Sequence, residues 1–209
     1  MLSEFKISGN SFEMSIQTLE KYLPQNTLPY LKKWFGDFTI HIKITRGRNS
    51  KLGDYRKMPD QSHQITINST LQPPLFFFVL THELAHLLAF ENYGGRISAH
   101  GLEWKETFRK MLMESSAVYS EDLQPIILRF AKAPKAGFMA SPELVRYFQM
   151  ENLEDESSYV EDLEPADEFM YRKQRYSLEE KRKKNYLCKN LDNGKKYIFR
   201  PLARVQKLK

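Results

Sequence analysis

The apolar positions of this chain follow two spacings before residue 70, which together predict helices followed by a small sheet. Apolar residues recur near every third or fourth position up to Pro24 and again up to Gly36, as on one face of a helix, and proline or glycine ends each run. Beyond Gly36, apolar and polar residues alternate, which is typical of strands with one buried face. The predicted elements are helices over 11–23 and 28–35 and strands over 38–45, 52–55 and 64–68.

A long apolar segment dominates the region after residue 70. Residues 73–90 carry hydrophobic side chains on nearly every face, which predicts a buried helix running to about Tyr93. A second, amphipathic helix is expected over 100–113. Its apolar stripe consists of Trp104, Phe108, Met111 and Leu112. Shorter helices are expected over 125–132 and 142–150, so the pattern predicts an α+β fold with helices packed on a small sheet.

Inside the apolar segment lies the pentapeptide His82-Glu-Leu-Ala-His86, an H-E-x-x-H pattern. Two histidines four positions apart on a helix lie one turn apart on the same face, so both can bind one metal ion. Glu83 adjoins the first histidine and could take a proton from metal-bound water. Polar groups buried without partners cost about 1–3 kcal/mol each, so a buried helix with these side chains favours a bound metal over a chance match.

A catalytic zinc site uses three protein ligands and keeps a fourth position open, so a third ligand is required. The metzincin pattern needs glycine at 89 and histidine at 92, where this chain has Ala89 and Asn92. Glu103 and Glu106 are candidates of the gluzincin kind. His100 is the better candidate because the Gly94-Gly95 pair predicts a helix end, and a tight reversal would return His100 to the first helix.

The remaining histidines, His41 and His63, lie in alternating, strand-like stretches. We interpret both as surface or core residues that take no part in the metal site.

The pentapeptide and the later segment His100-Gly-Leu-Glu-Trp-Lys105 together resemble the SprT-like metalloprotease family, which also contains the Spartan DNA–protein crosslink proteases. The resemblance covers roughly residues 16–117 and includes the segment Arg46–Tyr55 that leads into a strand. It implies that His82, His86 and His100 bind one Zn²⁺ ion and that Glu83 is the catalytic glutamate. It also implies a zincin-like minimal metalloprotease domain, which we assign to residues 1–150.

Composition adds limits on cell compartment. Cys188 is the only cysteine, so no intrachain disulfide can form and a reducing compartment is favoured. Residues 1–10 have no apolar signal region, and the longest uninterrupted apolar run, 73–80, is far shorter than the ~20 residues that cross a bilayer. We therefore expect a cytoplasmic protein that does not associate with a membrane.

The net charge of +6 hides a strong asymmetry. Residues 151–168 carry nine acids and no Lys or Arg, whereas residues 169–209 carry 14 Lys and Arg and three acids. An acidic block followed by a basic block predicts an exposed linker over 151–168 and a basic module over 169–209.

The basic module contains a hairpin signal, since Asp192-Asn193-Gly194 separates two β-prone runs within 185–200. The region resembles the terminal zinc ribbon of many SprT-like proteins, but Cys188 alone cannot form a structural zinc site. We expect Cys188 to be a buried residue, and the hairpin to be held by five apolar side chains. These are Tyr186, Leu187, Tyr197, Ile198 and Phe199. The lysines and tyrosines of this module indicate either a DNA-binding surface or a solvated hairpin that balances the acidic block.

Taken together, the motifs favour a zinc-dependent metallopeptidase that cuts protein or peptide substrates by Glu83-assisted attack of zinc-bound water, on DNA-associated proteins if the family resemblance extends so far. Tyr55 and Tyr93 are weak candidates for an oxyanion partner. The alternative is a non-proteolytic nucleic-acid-binding or scaffold protein with a structural or vestigial zinc site. Hydrolysis of a non-peptide amide would use the same site chemistry.

Overall fold

The described residues form helices and two separate sheets, which confirms the predicted α+β class. The structure is a computed structural model and describes residues 3–7, 18–48, 51–137, 140–150 and 157–208. The chain divides into two units, residues 1–137 and 138–209.

The sheet of the first unit has four strands. They are β1 (Ser3–Ile7), β2 (Ile40–Thr45), β3 (Gly53–Lys57) and β4 (His63–Asn68), in the order β1-β2-β4-β3. Strand β2 runs parallel to β4 and antiparallel to β1, and β3 runs antiparallel to β4. Alternate residues of β2, from Ile40 to Ile44, are buried, as the alternating sequence requires.

The described residues of the first unit also form four α-helices of eight residues or more. They are α1 (Leu28–Phe35), α2 (Pro73–Tyr93), α3 (Leu102–Glu114) and α4 (Gln124–Lys132). Helix α2 forms the centre of the core, because it packs against β3, β4, α1 and α3 and is therefore apolar on nearly all faces. It is long and apolar enough to span a membrane, yet most of its apolar segment is buried inside this unit. Prolines occupy its first turn, and it ends at Gly94, whose φ of +82° suits glycine.

The predicted elements of this unit agree closely with the observed ones. Helices α1 and α2 have the predicted bounds, and the other strands and helices are displaced by at most a few residues. The helix expected over 11–23 lies largely outside the described residues, which show residues 18–20 as helical and Leu19 as buried. Strand β1 was not expected.

The second unit contains helix α5 (Pro142–Met150) and a six-stranded sheet, more than the hairpin that the sequence predicts. The strands are β5 (Ser157–Tyr159), β6 (Glu168–Tyr171), β7 (Gln174–Lys181), β8 (Tyr186–Asn190), β9 (Lys196–Phe199) and β10 (Arg204–Lys207), in the order β5-β10-β6-β7-β8-β9. The predicted hairpin is present as β8 and β9, with Gly194 at a φ of +71° in the turn.

The expected boundaries require two corrections. Helix α5 belongs to the second unit, although the sequence predicts a first domain that extends to residue 150. The described part of the predicted acidic linker, residues 157–168, contains β5 and a 3₁₀ helix over Val160–Asp162. Because Val160 and Leu163 are buried in the core of the sheet, this part is integrated into the unit rather than exposed as a connector.

The hairpin packing also differs in part from expectation. Tyr186, Leu187 and Phe199 are buried, but Tyr197 and Ile198 are 38% and 53% exposed. Cys188 is fully buried, and burial, with Glu179 nearby, raises the pKa of its thiol to about 12. A thiol that stays protonated at neutral pH is an inert core residue.

Candidate metal centre

Three histidines from one helix and the turn that follows it converge in the first unit. Helix α2 carries His82 and His86 one turn apart, and the turn over 94–101 places His100 just before α3. The Nε2 atom of His82 lies 3.2 Å from Nε2 of His86 and 3.4 Å from Nε2 of His100. One nitrogen from each ring lies within 4.8 Å of the others, so the three side chains are close enough to hold a metal ion.

Trp104 forms a common wall for the three imidazoles. Its ring centroid lies 4.7 Å from that of His82, 5.3 Å from that of His86 and 4.6 Å from that of His100. The Trp104 indole N–H also donates to the main-chain carbonyl of His82, with a nitrogen–oxygen distance of 3.4 Å. Because Trp104 is fully buried, this one side chain couples the start of α3 to the middle of α2.

The histidines are neutral at physiological pH, which is the form that binds metals. Burial lowers the pKa of His82 to about 3, and the neighbouring His86 and His100 add to the effect. Burial and His100 lower the pKa of His86 to about 4. The pKa of His100 is also lowered, by burial and by Lys105.

Glu83, which follows His82 in the chain, is almost completely buried, with 6% of its surface exposed. Burial raises the pKa of its carboxyl to about 8; Asp54 adds to the rise, while Lys51 and Arg48 oppose it. A carboxyl with a pKa close to neutral can both accept and release a proton at working pH, as a general acid–base group must.

Gly53 is a site residue that the sequence prediction missed. A Cβ atom at this position would lie 2.5 Å from Glu83 Oε1 and 2.7 Å from Val79 Cγ1, so any side chain would displace the glutamate. The sequence feature that could have revealed it is a glycine at the start of a short strand, since such a glycine often marks the close approach of another group.

Two further residues of β3, Tyr55 and Lys57, also contact helix α2. The ring of Tyr55 is nearly parallel to that of His86, at 6° and a centroid distance of 6.2 Å. Lys57 Nζ lies 2.8 Å from Glu91 Oε1. Tyr55 is thus brought to the site, whereas Tyr93, the other tyrosine considered from sequence, is 54% exposed at the end of α2.

The other sequence candidates lie outside the histidine cluster. Among the described residues, neither Glu103 nor Glu106 belongs to a group that could hold a metal. His41 lies on β2, and His63 is a buried residue of β4 that contacts Tyr55.

The second unit has a pocket of its own, with a volume of about 1240 Å³. Four aromatic rings contact one another in its wall; they belong to Tyr171, Tyr176, Tyr197 and Phe199. Five cationic side chains also line it: Arg146, Arg172, Lys184, Arg200 and Arg204. Glu161, the single acid in its described lining, forms an ion pair with Arg146.

No known protein family, curated protein or solved structure matches this chain significantly, so its function has to be argued from its own residues.

Proposed function

We propose that this chain is a zinc-dependent metallopeptidase of the SprT-like type, with a zincin-like first unit. The observation that carries the proposal is the convergence of His82, His86 and His100 through their Nε2 atoms beside a buried glutamate. Three half-buried, neutral histidines, two of them on an otherwise apolar helix, are costly to desolvate, and a metal ion would compensate that cost.

The spacing of the nitrogens is compatible with zinc. Zinc–nitrogen bonds of about 2.0–2.1 Å in tetrahedral geometry place two nitrogen ligands roughly 3.3–3.4 Å apart. The observed Nε2 separations from His82 are 3.2 and 3.4 Å. Three imidazole ligands leave one tetrahedral position open, which is the arrangement of catalytic rather than structural zinc.

The residues of the site then have distinct roles. A bound zinc ion would lower the pKa of water at its open position to ~7, polarise a peptide carbonyl and favour the ionised form of Glu83. Glu83 accepts the proton of the attacking water and later donates it to the leaving amine. Gly53 leaves room for the Glu83 carboxyl, and the Trp104 ring packs against all three imidazoles.

The experiment that tests this function compares Glu83→Gln with the parent protein and with Glu106→Gln, an exposed glutamate on α3. Each is loaded with zinc, its metal content is measured, and cleavage of fluorescently labelled casein is followed with and without single-stranded DNA. We expect Glu83→Gln to keep zinc and lose at least ~10³-fold in rate, and Glu106→Gln to behave as the parent. Equal cleavage by Glu83→Gln would exclude the mechanism, and a zinc-loaded parent that cleaves nothing would favour a structural or vestigial zinc.

A second candidate function, nucleic-acid binding by the second unit, is favoured by its pocket. Cations that neutralise phosphates and aromatic rings that stack on bases are the two components of single-strand binding sites. Here five cations and four aromatic rings line one pocket, whose volume of about 1240 Å³ suits an extended ligand. This function is compatible with the first, because the pocket would bring the chain to DNA-associated proteins.

Binding is measured by fluorescence anisotropy with a labelled oligothymidine at several salt concentrations. We expect Tyr197→Ala to weaken binding about 5–30-fold by removing a stacking surface, and Arg200→Gln to weaken it and lower the salt dependence. Lys189→Gln removes an exposed charge outside the pocket and serves as the matched control. Equal effects of Arg200→Gln and Lys189→Gln would show that charge alone, and not this pocket, attracts DNA.

A further inference from the structure

Strand β3 lies along helix α2 in a regular register. Its alternate residues Gly53, Tyr55 and Lys57 meet the helix at successive turns, at Glu83, His86 and Glu91. Two residues of a strand advance by about 6.6 Å and one helical turn by about 5.4 Å, so the two elements can stay in step over this length. The proposed base and one proposed ligand therefore face the same short strand.

The contact between Tyr55 and His86 is the central one of the three. The two rings are within 6° of parallel at a centroid distance of 6.2 Å, an offset stack. Trp104 also stacks on His86, at 28° and 5.3 Å. The His86 imidazole thus has aromatic rings against it from a strand and from a second helix, which restricts rotation of its plane.

Tyr55 is itself held by a chain of polar contacts that passes through the buried His63. Its hydroxyl oxygen lies 3.1 Å from Nδ1 of His63, and this bond can form in either tautomer of His63. The other nitrogen, Nε2, lies 3.3 Å from Lys57 Nζ and 3.5 Å from Glu91 Oε1. His63 has only 1% of its side chain exposed, so the tyrosine hydroxyl is tied to a rigid part of β4.

We infer that Tyr55 is a positioning residue that holds the His86 imidazole in its ligating orientation, and that His63 and Glu91 anchor it. The inference rests on the proposed metal site. Partners of metal ligands fix ring orientation in this way, and their loss usually costs 10–100-fold in metal affinity. In most such sites a hydrogen bond orients the ligand; here an aromatic ring performs that task, and its hydroxyl carries the hydrogen bond.

The experiment measures zinc affinity by competition with a chromophoric chelator and records the visible spectrum of the cobalt-substituted protein, which reports ligand geometry. Tyr55→Leu should lower zinc affinity about 10–100-fold and change the cobalt spectrum. Tyr55→Phe keeps the ring and should restore most of the affinity, to within about 3–10-fold of the parent. Tyr93→Leu, the same change at an exposed tyrosine of α2, should leave both readouts unchanged.

A parent-like affinity and cobalt spectrum in Tyr55→Leu would overturn the inference. So would an equal loss in Tyr93→Leu, which would indicate a general effect on the helix. If Tyr55→Leu does not fold, Tyr55→Phe and His63→Gln decide the matter, because both keep the Tyr55 ring and should each change affinity less than tenfold while altering the cobalt spectrum. Zinc affinity and the cobalt spectrum can be measured without any cleavage. A protein that binds zinc but cuts no substrate would therefore refute the peptidase proposal, while the role of Tyr55 would still be decided by these two measurements.

Discussion

The two units of this protein place their polar groups in opposite environments. In the first unit, three imidazoles and the Glu83 carboxyl are buried or half-buried on and beside an apolar helix. In the second unit, cationic side chains surround an aromatic pocket that opens to solvent. Buried polar groups are costly, so their presence indicates one specific chemistry, whereas exposed charge costs little and indicates only a class of partner. The first unit therefore supports a sharper proposal than the second.

The largest effect on zinc affinity is expected from removal of one of the three proposed histidine ligands in the first unit. We expect His100→Ala to lower zinc affinity by about 10³-fold, more than the loss of an outer partner, because a tetrahedral site would keep only two protein ligands. Competition with a chromophoric chelator measures the zinc affinity. His41→Ala, which alters a histidine outside the cluster, is the control, and parent-like affinity in His100→Ala would mean that the third ligand lies elsewhere.

A smaller effect is expected from Gly53→Ala. The added Cβ would lie 2.5 Å from Glu83 Oε1, so the carboxyl must move from its place against β3. We expect cleavage of labelled casein to slow about 10–100-fold while zinc remains bound. Gly137→Ala, where a Cβ meets nothing within 4 Å, should retain parental activity. If both variants cleave equally well, the approach of β3 to Glu83 has no catalytic importance.

The cost of burying Glu83 should appear as a pH-dependent stability in the metal-free protein. Its folded pKa of about 8 lies above the ordinary value of 4.5, so the folded state holds a proton that the unfolded state releases between these pH values. The contribution of Glu83 to the stability of the parent therefore falls as pH rises from 4.5 to 8. Glu83→Gln removes this cost and should be more stable by ~1–3 kcal/mol at pH 8, with little difference at pH 4.

Urea unfolding of both proteins after zinc chelation measures the difference, with Glu106→Gln as the exposed control. The lowered histidine pKa values add an opposite dependence below about pH 6.5, but they are common to all three proteins and cancel in the comparison. A stability difference that is constant with pH would contradict the buried, protonated state of Glu83.

The smallest effect is expected in the second unit, where removal of zinc should not change the reactivity of Cys188. Cys188 is fully buried and its thiol pKa is raised to about 12, so a thiol reagent should not label it in the native protein. Its burial comes from the second unit's own core, so chelation of zinc should leave its labelling rate unchanged. A large increase in labelling after chelation would show that the second unit depends on the metal centre.

Much of the first unit could be predicted because its signals are local. Helix bounds follow from proline, glycine and apolar spacing, and two histidines four apart on one helix share a face whatever the rest of the chain does. His100 was also predicted, since a glycine pair and a short turn limit where it can lie. Gly53 and the link from Tyr55 to His63 could not be predicted in this way, because they depend on how β3 lies on α2.

The second unit was predicted less fully for a related reason. The hairpin of β8 and β9 has a local turn signal, but β5 and β10 begin 47 residues apart, at residues 157 and 204, and pair only in the folded sheet. Acidic composition over 151–168 indicated a linker, yet Val160 and Leu163 decide that its described part joins the core.

Residue types and their spacing were enough to predict the α+β class, the apolar helix, and the histidines and glutamate of the candidate metal centre. Only the tertiary structure decided that three Nε2 atoms meet, that Glu83 is buried against Gly53, and that one pocket unites the cations and aromatic rings of the second unit. The physical reason is that residue type and helical periodicity are properties of neighbouring positions, whereas distances between elements and the burial of a charge arise from packing among residues far apart in the chain.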